Sequence, residues 1–501
     1  MNTSKIIIAL ALLLTAAEGR AQVVLEQNAL KRATSSVEGE VSLSGEANNG
    51  YSPFWMHANQ NGLNEIIGSS VTLNAYVGHD DHDKPGNWHL SWGLGVQVDY
   101  DGEFRVLVPD AFVDFDYKKV CLSVGSKIRR NNELKGDLTS GSQTFGNNAL
   151  PVPSVRFELP EYWNISPWIG IKGHFSYGMM TDGNWQKDYL QPDDAAAFKP
   201  RYAKNILLHT KAGYLRLGNV EKFPLTLEGG LEMATQFGGT VYNYGDTNET
   251  IEMPSGIKDF VKAIYSGGSD ATDGPYANAG GNTLGSWLVA LTYHGKGWKA
   301  KAYFDHFFED HSQMFMQYGW YDGLVGFEVE LPENRFVSRF CYEYIKTTDQ
   351  TGPISHDHTE ALPTQISGGD DYYNHVLYQG WQHFGIPMGN PFYFSPLYRE
   401  DGSLLFDANR FKAHHLALAG TPVKGLDYKL HFSYVSSWGT YNLPFENPKY
   451  QTSLGLSLAW APEHLGRLNL PGWSLGLDLG WDKGSIIGDN TGACFAITKS
   501  F

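Results

Sequence analysis

The sequence predicts an all-β protein: a transmembrane antiparallel β-barrel of about 18 strands with long extracellular loops. Three observations lead to this prediction. Apolar and polar residues alternate over long runs, aromatic residues stand at the ends of apolar faces, and the chain finishes in a strand-like run that ends with Phe501. A mean hydropathy of −0.33 and the lack of a later apolar run of about 20 residues exclude a polytopic helical membrane protein.

Period-two alternation is the dominant pattern of the chain. Between Leu90 and Tyr100, and between Trp473 and Trp481, apolar side chains occupy every second position, and Ser, Gly, Gln or Asp stand between them. Such runs, of about 9 to 14 residues, exceed the 5 to 6 residues of an average soluble strand and match strands that cross a bilayer. Their aromatic ends are typical of interfacial girdles.

Two architectures share this alternation. A soluble sandwich or propeller buries its apolar faces, whereas a transmembrane barrel turns them to lipid and keeps a polar lumen. Run length and aromatic ends favour the barrel. A Lys or Arg on the lipid face costs roughly 2–4 kcal/mol at the midplane, so the faces that carry charge are assigned to the lumen. These charged residues include Lys172, His174, Glu228, Glu232, Glu328 and Glu330.

Counting the runs gives eighteen predicted strands, an even number as single-chain bacterial barrels require. They are 37–47, 69–79, 88–101, 103–118, 119–129, 153–160, 166–180, 204–217, 222–237, 285–295, 297–309, 322–331, 334–347, 411–420, 427–437, 451–460, 472–482 and 491–501. Pro109 forces a change of parity in the fourth strand. If both termini are periplasmic, the long connections face outside: 48–68, 130–152, 181–203, 238–284 and 348–410. Helical periodicity is confined to 256–265.

The first residues are typical of an export signal. Lys5 precedes an apolar stretch at 6–17, and Gly19-Arg20-Ala21 forms a small-x-small cleavage site. We therefore expect a signal peptide at 1–21, a short periplasmic segment at 22–36 and a single barrel domain at 37–501. The three cysteines lie far apart in strand-like runs and form no disulfide framework; they are Cys121, Cys341 and Cys494.

Charge and motifs argue against several functions. A net charge of −16 argues against nucleic-acid binding, because phosphate neutralisation needs clustered Lys and Arg. The sequence contains no P-loop, nucleophile elbow, zincin or dinucleotide motif, so we expect neither an enzyme nor a cofactor. The Asp-Asp-His-Asp cluster at 80–83 and the pair His356 and His358 could bind cations. A solvated turn and a solvated loop are the simpler interpretations.

Aromatic and amide residues are concentrated in the long loops. Sugars present C–H faces that stack on flat rings, and hydroxyls that hydrogen-bond to Asn, Gln, Asp or Glu, so such a surface suits a glycan. The candidate glycan-binding residues are Trp55, Asn59, Gln60, Tyr372, Tyr373, Asn374, Tyr378 and Trp381. The alternative is that these rings pack the loops onto one another as a lid, or belong to the aromatic girdle.

Several short motifs follow one another along the chain. The first is Ser52-Pro-Phe-Trp55, followed by Asn59-Gln60-Asn61-Gly62. The others are Gly146-Asn147-Asn148-Ala149-Leu150-Pro151-Val152-Pro153, Leu208-His209-Thr210-Lys211 with Tyr214-Leu215-Arg216-Leu217, Asp322-Gly323-Leu324, Tyr342-Glu343-Tyr344 with Thr347 and Gln350-Thr351-Gly352-Pro353, Tyr372-Tyr373-Asn374 with Tyr378 and Trp381, and Gly389-Asn390-Pro391. This ordered set, which spans nearly the whole predicted mature chain, resembles the capsule assembly Wzi family.

The resemblance implies an outer-membrane barrel that acts as a lectin and holds newly exported capsular or exopolysaccharide at the cell surface, with its lumen occluded by loops. The implied partners are that polymer, outer-membrane lipid and lipopolysaccharide, and the barrel assembly machinery that recognises a C-terminal Phe. Nucleic acid is not among them. Family members with a periplasmic helical bundle have more helix than 22–36 and 256–265 can supply, and the sequence departs from them there.

Two other functions stay open. A diffusion porin or solute channel would use luminal carboxylates for cation selectivity; these are Asp99, Asp114, Glu228, Glu232, Glu328 and Glu330. The mass of the 348–410 loop argues against an open pore. A barrel hydrolase would need a nucleophile and a base, and no such set stands out in the sequence.

Overall fold

A computed structural model of the chain describes residues 37–82, 85–129, 134–192, 199–265, 281–309, 311–315, 320–352, 369–465 and 468–501. Several sequence-based expectations lie outside these ranges. They are the signal peptide at 1–21, the periplasmic segment at 22–36, Asp83 of the acidic cluster, and the pair His356 and His358.

Eighteen strands form one antiparallel sheet. They are β1 Val37–Asn49, β2 Val71–His79, β3 Trp88–Tyr100, β4 Phe104–Tyr117, β5 Val120–Ser126, β6 Ser154–Ser166, β7 Ile169–Met179, β8 Leu207–Leu217, β9 Leu225–Phe237, β10 Asn282–His294, β11 Lys299–Phe308, β12 Gly323–Glu330, β13 Arg339–Lys346, β14 Phe411–Val423, β15 Leu426–Gly439, β16 Pro444–Trp460, β17 Trp473–Gly484 and β18 Asn490–Ser500. Each strand pairs with its neighbour in sequence, and β18 pairs with β1 from Glu40↔Ser500 to Asn49↔Thr491. The sheet is therefore a closed barrel, and the predicted fold class is confirmed.

Every predicted strand has one counterpart in the barrel, and the differences are in length. The strand predicted at 153–160 extends to Ser166, past a register shift that follows Leu159. The parity change predicted at Pro109 is confirmed. Gly95 pairs with Asp110 and Gln97 with Leu107, so β4 has one extra residue there. The bulge moves the outward positions of β4 from even to odd numbers.

The two faces of the wall differ as the alternation predicts. The outer face exposes large apolar side chains along nearly every strand, among them Val106, Phe157, Leu215, Val289 and Phe495. Near the two ends of β17, Trp473 and Trp481 are also exposed. The inner face buries polar side chains, which include the predicted luminal Asp99, Asp114, Glu232 and Glu328. A soluble sandwich would show the opposite arrangement, so this alternative is excluded.

The two ends of the barrel have different connections. One end, which we call the long-loop end, has the connections 50–70, 127–153, 180–206, 238–281, 309–322 and 347–410 between its strands. At the other end, the short-turn end, connections such as 118–119, 167–168 and 424–425 are brief. This asymmetry is the one predicted, and it gathers most of the non-barrel chain at one end.

In the part of the chain that the structure describes, the helices all lie in long-loop connections. They are α1 Phe54–His57, α2 Gly183–Leu190, α3 Ile257–Tyr265 and α4 His311–Met314, with a 3-10 turn at Pro396–Tyr398. The predicted helix at 256–265 corresponds to α3. Tyr202–Lys204, Thr240–Tyr244 and Glu249–Glu252 form a small separate sheet, and two short hairpins pair Gln382–His383 with Ile386–Pro387 and His464–Leu465 with Leu468–Asn469. Within the described ranges, no helix combines the length and apolar character needed to cross a bilayer.

Candidate functional site

Three long-loop connections fold back into the lumen. We call their described residues 51–67, 134–152 and 369–409 the plug. Its side chains form the largest buried cluster among the described residues, in which rings such as Phe54, Tyr373, Trp381 and Phe392 pack on wall residues such as Phe411. The lumen is therefore occupied by protein.

The first plug segment presses α1 against β15, β16 and β17. The Phe54 amide donates to Asp482 Oδ2 at 3.0 Å, and the Trp55 ring nitrogen donates to Ser433 Oγ at 3.1 Å. Two wall glycines allow this close approach. A Cβ at Gly455 would lie 2.4 Å from that of Trp55, and a Cβ at Gly480 would lie 2.3 Å from that of Pro53.

The second plug segment crosses the lumen along β10 to β14. Lys135 Nζ lies 2.6 Å from Asp305 Oδ2, and both side chains are at most 1% exposed. The Gly136 amide donates to Glu328, and the Ser140 amide to Glu343, each at 2.7 Å. Buried charges need such partners, which explains why the luminal carboxylates of the wall and the polar plug occur together.

The third plug segment packs on the second. The rings of Tyr373 and Tyr393 stack at 3.7 Å, and the Tyr373 hydroxyl donates to the Gln143 carbonyl. The Trp381 ring nitrogen donates to the Thr144 carbonyl at 2.9 Å. The aromatic residues of the largest loop thus form the interior of the plug.

The structure separates the predicted glycan-binding residues into three groups. Tyr372, Tyr373, Tyr378 and Trp381 are 0% exposed and Trp55 is 7% exposed. Direct stacking of a sugar on any of these rings would require the plug to open. The side chain of Asn59 donates to the Ser140 carbonyl at 2.9 Å inside the plug, while Gln60 is exposed. Asn374 is half-buried and, like Tyr378, lines a cavity.

This cavity, which we call the mouth pocket, has a volume of about 450 Å³. It lies between the connections 180–206 and 347–410, both at the long-loop end. Its lining residues are Leu190, Pro200, Arg201, Asn374, His375, Tyr378, Gln379, Asp401, Gly402, Ser403, Leu404 and Leu405. Pro200 and Asp401 are exposed, so the pocket reaches solvent.

Arg201 forms the cationic side of the mouth pocket. Its Nη2 donates to the carbonyls of His375 and Tyr378 at 3.1 and 3.4 Å. Its Nε is buried without a hydrogen-bond partner among the described residues. Burial lowers the pKa of the guanidinium. Arg201 therefore places a cationic side chain, tied to two backbone carbonyls, at the pocket lining.

His375 and Asp401 complete the polar lining. Burial, and secondarily the charge of Arg201, lowers the pKa of His375 to about 4. At neutral pH the imidazole is thus uncharged, and its Nδ1 accepts from the Leu377 and Tyr378 amides at 3.2 Å. A hydrogen bond from Arg399 lowers the pKa of Asp401 to about 2, so this carboxylate is ionised and already paired.

Sequence patterns did not identify Arg201, Ser403 or Gln379 as lining residues. Arg201 follows Pro200 in a loop without periodicity, and its partners lie more than 170 residues away. The acidic turn at 80–82, in contrast, hydrogen-bonds within itself and to the start of β3, and it contacts Asp116 of β4. His82 Nδ1 lies 2.6 Å from Asp80 Oδ1, and the His82 ring stacks on His89 at 4.8 Å.

A closed barrel with an even number of strands, an apolar outer face and a polar, filled lumen has the fold of an outer-membrane β-barrel. Among solved structures, Wzi from Escherichia coli, an outer-membrane protein involved in group 1 capsule assembly and a carbohydrate-binding β-barrel, shares this fold. It aligns over 95% of this chain and 87% of its own, with a TM-score of 0.54 and 14% sequence identity.

Two other solved structures align with lower scores. OccK5 (OpdH) from Pseudomonas aeruginosa aligns over 93% of this chain and 98% of its own, with a TM-score of 0.47 and 8% identity. OccAB3 from Acinetobacter baumannii aligns over 93% and 99%, with a TM-score of 0.44 and 8% identity. No protein-family model and no curated protein matches the sequence. The comparisons thus support the fold and do not distinguish a lectin from a channel. That distinction depends on the geometry of the plug and the mouth pocket.

Proposed function

We propose that the protein is a lectin-like outer-membrane barrel that binds capsular or exopolysaccharide at the cell surface during capsule assembly, and that it is not an enzyme. The observation that carries this proposal is the mouth pocket, which opens at the long-loop end above a lumen filled by the plug. A binding site on top of an occupied lumen suits a protein that holds a polymer outside, and suits transport poorly.

The lining of the mouth pocket suits a sugar. Asn374 and Gln379 bring amide oxygens and Ser403 brings a hydroxyl, and each can hydrogen-bond to a ring hydroxyl. The amide nitrogens of Asn374 and Gln379 already donate within the protein. The positive charge of Arg201 at the lining favours a hydroxyl or a carboxylate of a polymer. The imidazole of His375 stacks on the buried ring of Tyr378 at 5.3 Å and 18°, which fixes the position of His375 in the lining.

The membrane topology is part of the proposal. We place the long-loop end outside and the short-turn end in the periplasm, with lipid and lipopolysaccharide around the apolar face. Export through the signal peptide at 1–21 and insertion by the barrel assembly machinery precede this state. We expect no nucleic-acid partner, because the net charge is −16.

A substrate-specific channel is the second candidate. The observation in its favour is a luminal cavity of about 350 Å³ near the short-turn end, whose lining includes Asp114, Asp116 and Glu158. Such a vestibule suits cations. The plug stands between this cavity and the long-loop end, so transport would need the plug to move.

The test fills the mouth pocket with a bulky side chain. Ser403→Trp should weaken the binding of isolated capsule to the purified barrel by about tenfold or more, which corresponds to 1.4 kcal/mol. Thr247→Trp is the matched control, because Thr247 is exposed in another connection at the same end. Cells with the first variant should retain less polymer at equal barrel content.

Two outcomes would contradict the proposal. The first is unchanged polymer binding by a correctly inserted Ser403→Trp barrel. The second is a stable open conductance of the unmodified protein in planar bilayers, which would favour the channel.

A further inference from the structure

Three potential metal ligands lie together on the inner wall beside the plug. Cys341 and Glu343 are two residues apart on β13, and Glu343 stands directly opposite His415 of β14. All three side chains face the lumen and are 0% exposed. One ligand atom of each lies within 4.8 Å of the others, and in the described part of the chain this is the one set of three with that spacing.

A hydrogen bond fixes the tautomer of His415. Its Nε2 lies 2.9 Å from the Leu138 carbonyl oxygen in the plug. Because a carbonyl only accepts, Nε2 carries the hydrogen and Nδ1 holds a lone pair. That Nδ1 is buried without a hydrogen bond of good geometry to any described residue, and the backbone of Phe432 also lies close to the ring. Metal-binding histidines have this arrangement, in which one ring nitrogen donates to a carbonyl and the other binds the ion.

Glu343 is oriented in a similar way. Its carboxylate accepts from the Ser140 amide and the Tyr303 hydroxyl, each at 2.7 Å, and from the Thr139 hydroxyl. The neighbouring Glu328 has Lys301 at 3.8 Å, whereas none of the ion pairs between described residues involves Glu343. A buried carboxylate without a cation is costly, and a divalent ion would neutralise it.

We propose that Cys341 Sγ, the Glu343 carboxylate and His415 Nδ1 bind one zinc ion. A thiolate with an imidazole and a carboxylate suits zinc and disfavours calcium and magnesium, which prefer oxygen ligands. Ligand atoms around a tetrahedral zinc lie roughly 3.4–3.8 Å apart, so small side-chain rotations close the site. The thiol of Cys341 loses its proton to solvent on binding.

In this arrangement the zinc ion stabilises the contact between the plug and the barrel wall. Leu138, Thr139 and Ser140 of the plug hydrogen-bond to two of its ligands, so a docked plug orients the site and the ion stabilises the docked plug. This role does not depend on polysaccharide. A failure of the lectin proposal would therefore leave it unaffected.

The experiment measures zinc in the full chain after refolding with zinc chloride and removal of unbound metal. We expect one zinc per wild-type chain. In Cys341→Ser and in His415→Gln the zinc content should fall by at least about tenfold. Cys494→Ser is the control, because Cys494 is a half-buried cysteine of another strand. Refolding with cobalt should give a thiolate-to-cobalt charge-transfer band that Cys341→Ser lacks.

Two results would overturn the proposal. One is wild-type protein, folded as judged by its heat-dependent gel mobility, that retains less than about a tenth of an equivalent of zinc. The other is a folded Cys341→Ser protein that retains as much zinc as wild type. If both ligand variants fail to fold, the stoichiometry and cobalt spectrum of the wild type decide.

Discussion

The wall and the plug of this barrel are stabilised over very different sequence distances. Each wall strand pairs with the next one in sequence, with partners no more than 80 residues apart (Arg339↔Ala419), except that β1 pairs with β18 across nearly the whole described chain. The plug depends on contacts such as Lys135 with Asp305, 170 residues apart, and Trp55 with Ser433, 378 residues apart. The wall is therefore a local structure facing lipid, and the plug is a non-local core in a protein-filled lumen.

The largest expected effect concerns the buried ion pair of the plug. Lys135→Met leaves Asp305 charged, buried and without its cation, which destabilises the docked plug by about 3–5 kcal/mol. We expect the Lys135→Met protein to conduct ions in planar bilayers and to be cleaved by protease within 134–152, unlike the wild type. Lys299→Met removes an ammonium from an ion pair whose side chains are half exposed, and should cost at most about 1 kcal/mol.

A second substitution can distinguish the cost of leaving the Asp305 charge without its cation from the cost of lost packing around Lys135. Adding Asp305→Asn to Lys135→Met removes the uncompensated charge and should restore part of the protection from protease. A single Lys135→Met protein that stays closed and resistant would show that the plug does not depend on this pair.

The next effect tests the wall. Leu94 lies in the middle of β3 on the apolar outer face and is 46% exposed. Leu94→Arg should destabilise the folded barrel in lipid vesicles by about 2–4 kcal/mol, whereas Leu90→Arg, nearer the end of the same face, should cost about 0–1 kcal/mol. Denaturant titration of both variants measures the difference. Equal effects would mean that this face does not lie against the hydrocarbon core.

A smaller effect is expected where plug and wall touch. Gly480→Ala places a methyl group 2.3 Å from Pro53 Cβ, so α1 must shift, at a cost of about 1–3 kcal/mol. Hydrogen exchange of residues 51–61 should become faster. Gly45→Ala is the control, since nothing lies within 4 Å of a Cβ at that wall position. If both alanines leave exchange unchanged, the contact between α1 and β17 is looser than described.

The sequence predicts the wall well because period-two alternation is a local property of each strand. Even the bulge follows from a single residue, Pro109. The plug cannot be predicted in this way. The sequence around Tyr373 and Trp381 is the same whether their polar groups bind a sugar or donate to the carbonyls of Gln143 and Thr144. Burial depends on partners more than 200 residues away. The site at Cys341, Glu343 and His415 is hidden for the same reason, because strand register brings its members together.

The mildest test concerns the pH dependence of the mouth pocket. The pKa of His375 is about 4 in the folded protein, against 6.5 for the free side chain. The unfolded loop therefore binds a proton first, and folded stability is intact above pH 6.5 and falls as the pH drops towards 4. Between pH 7.5 and 6 the local free energy of unfolding falls by about 1 kcal/mol, so hydrogen exchange at 374–379 should speed up several-fold beyond its intrinsic pH dependence.

His375→Asn keeps an acceptor near the Leu377 and Tyr378 amides without a titrating group, and should abolish this excess. An equal response in both proteins would mean that His375 titrates normally, and that the mouth pocket is more open to water than its geometry indicates.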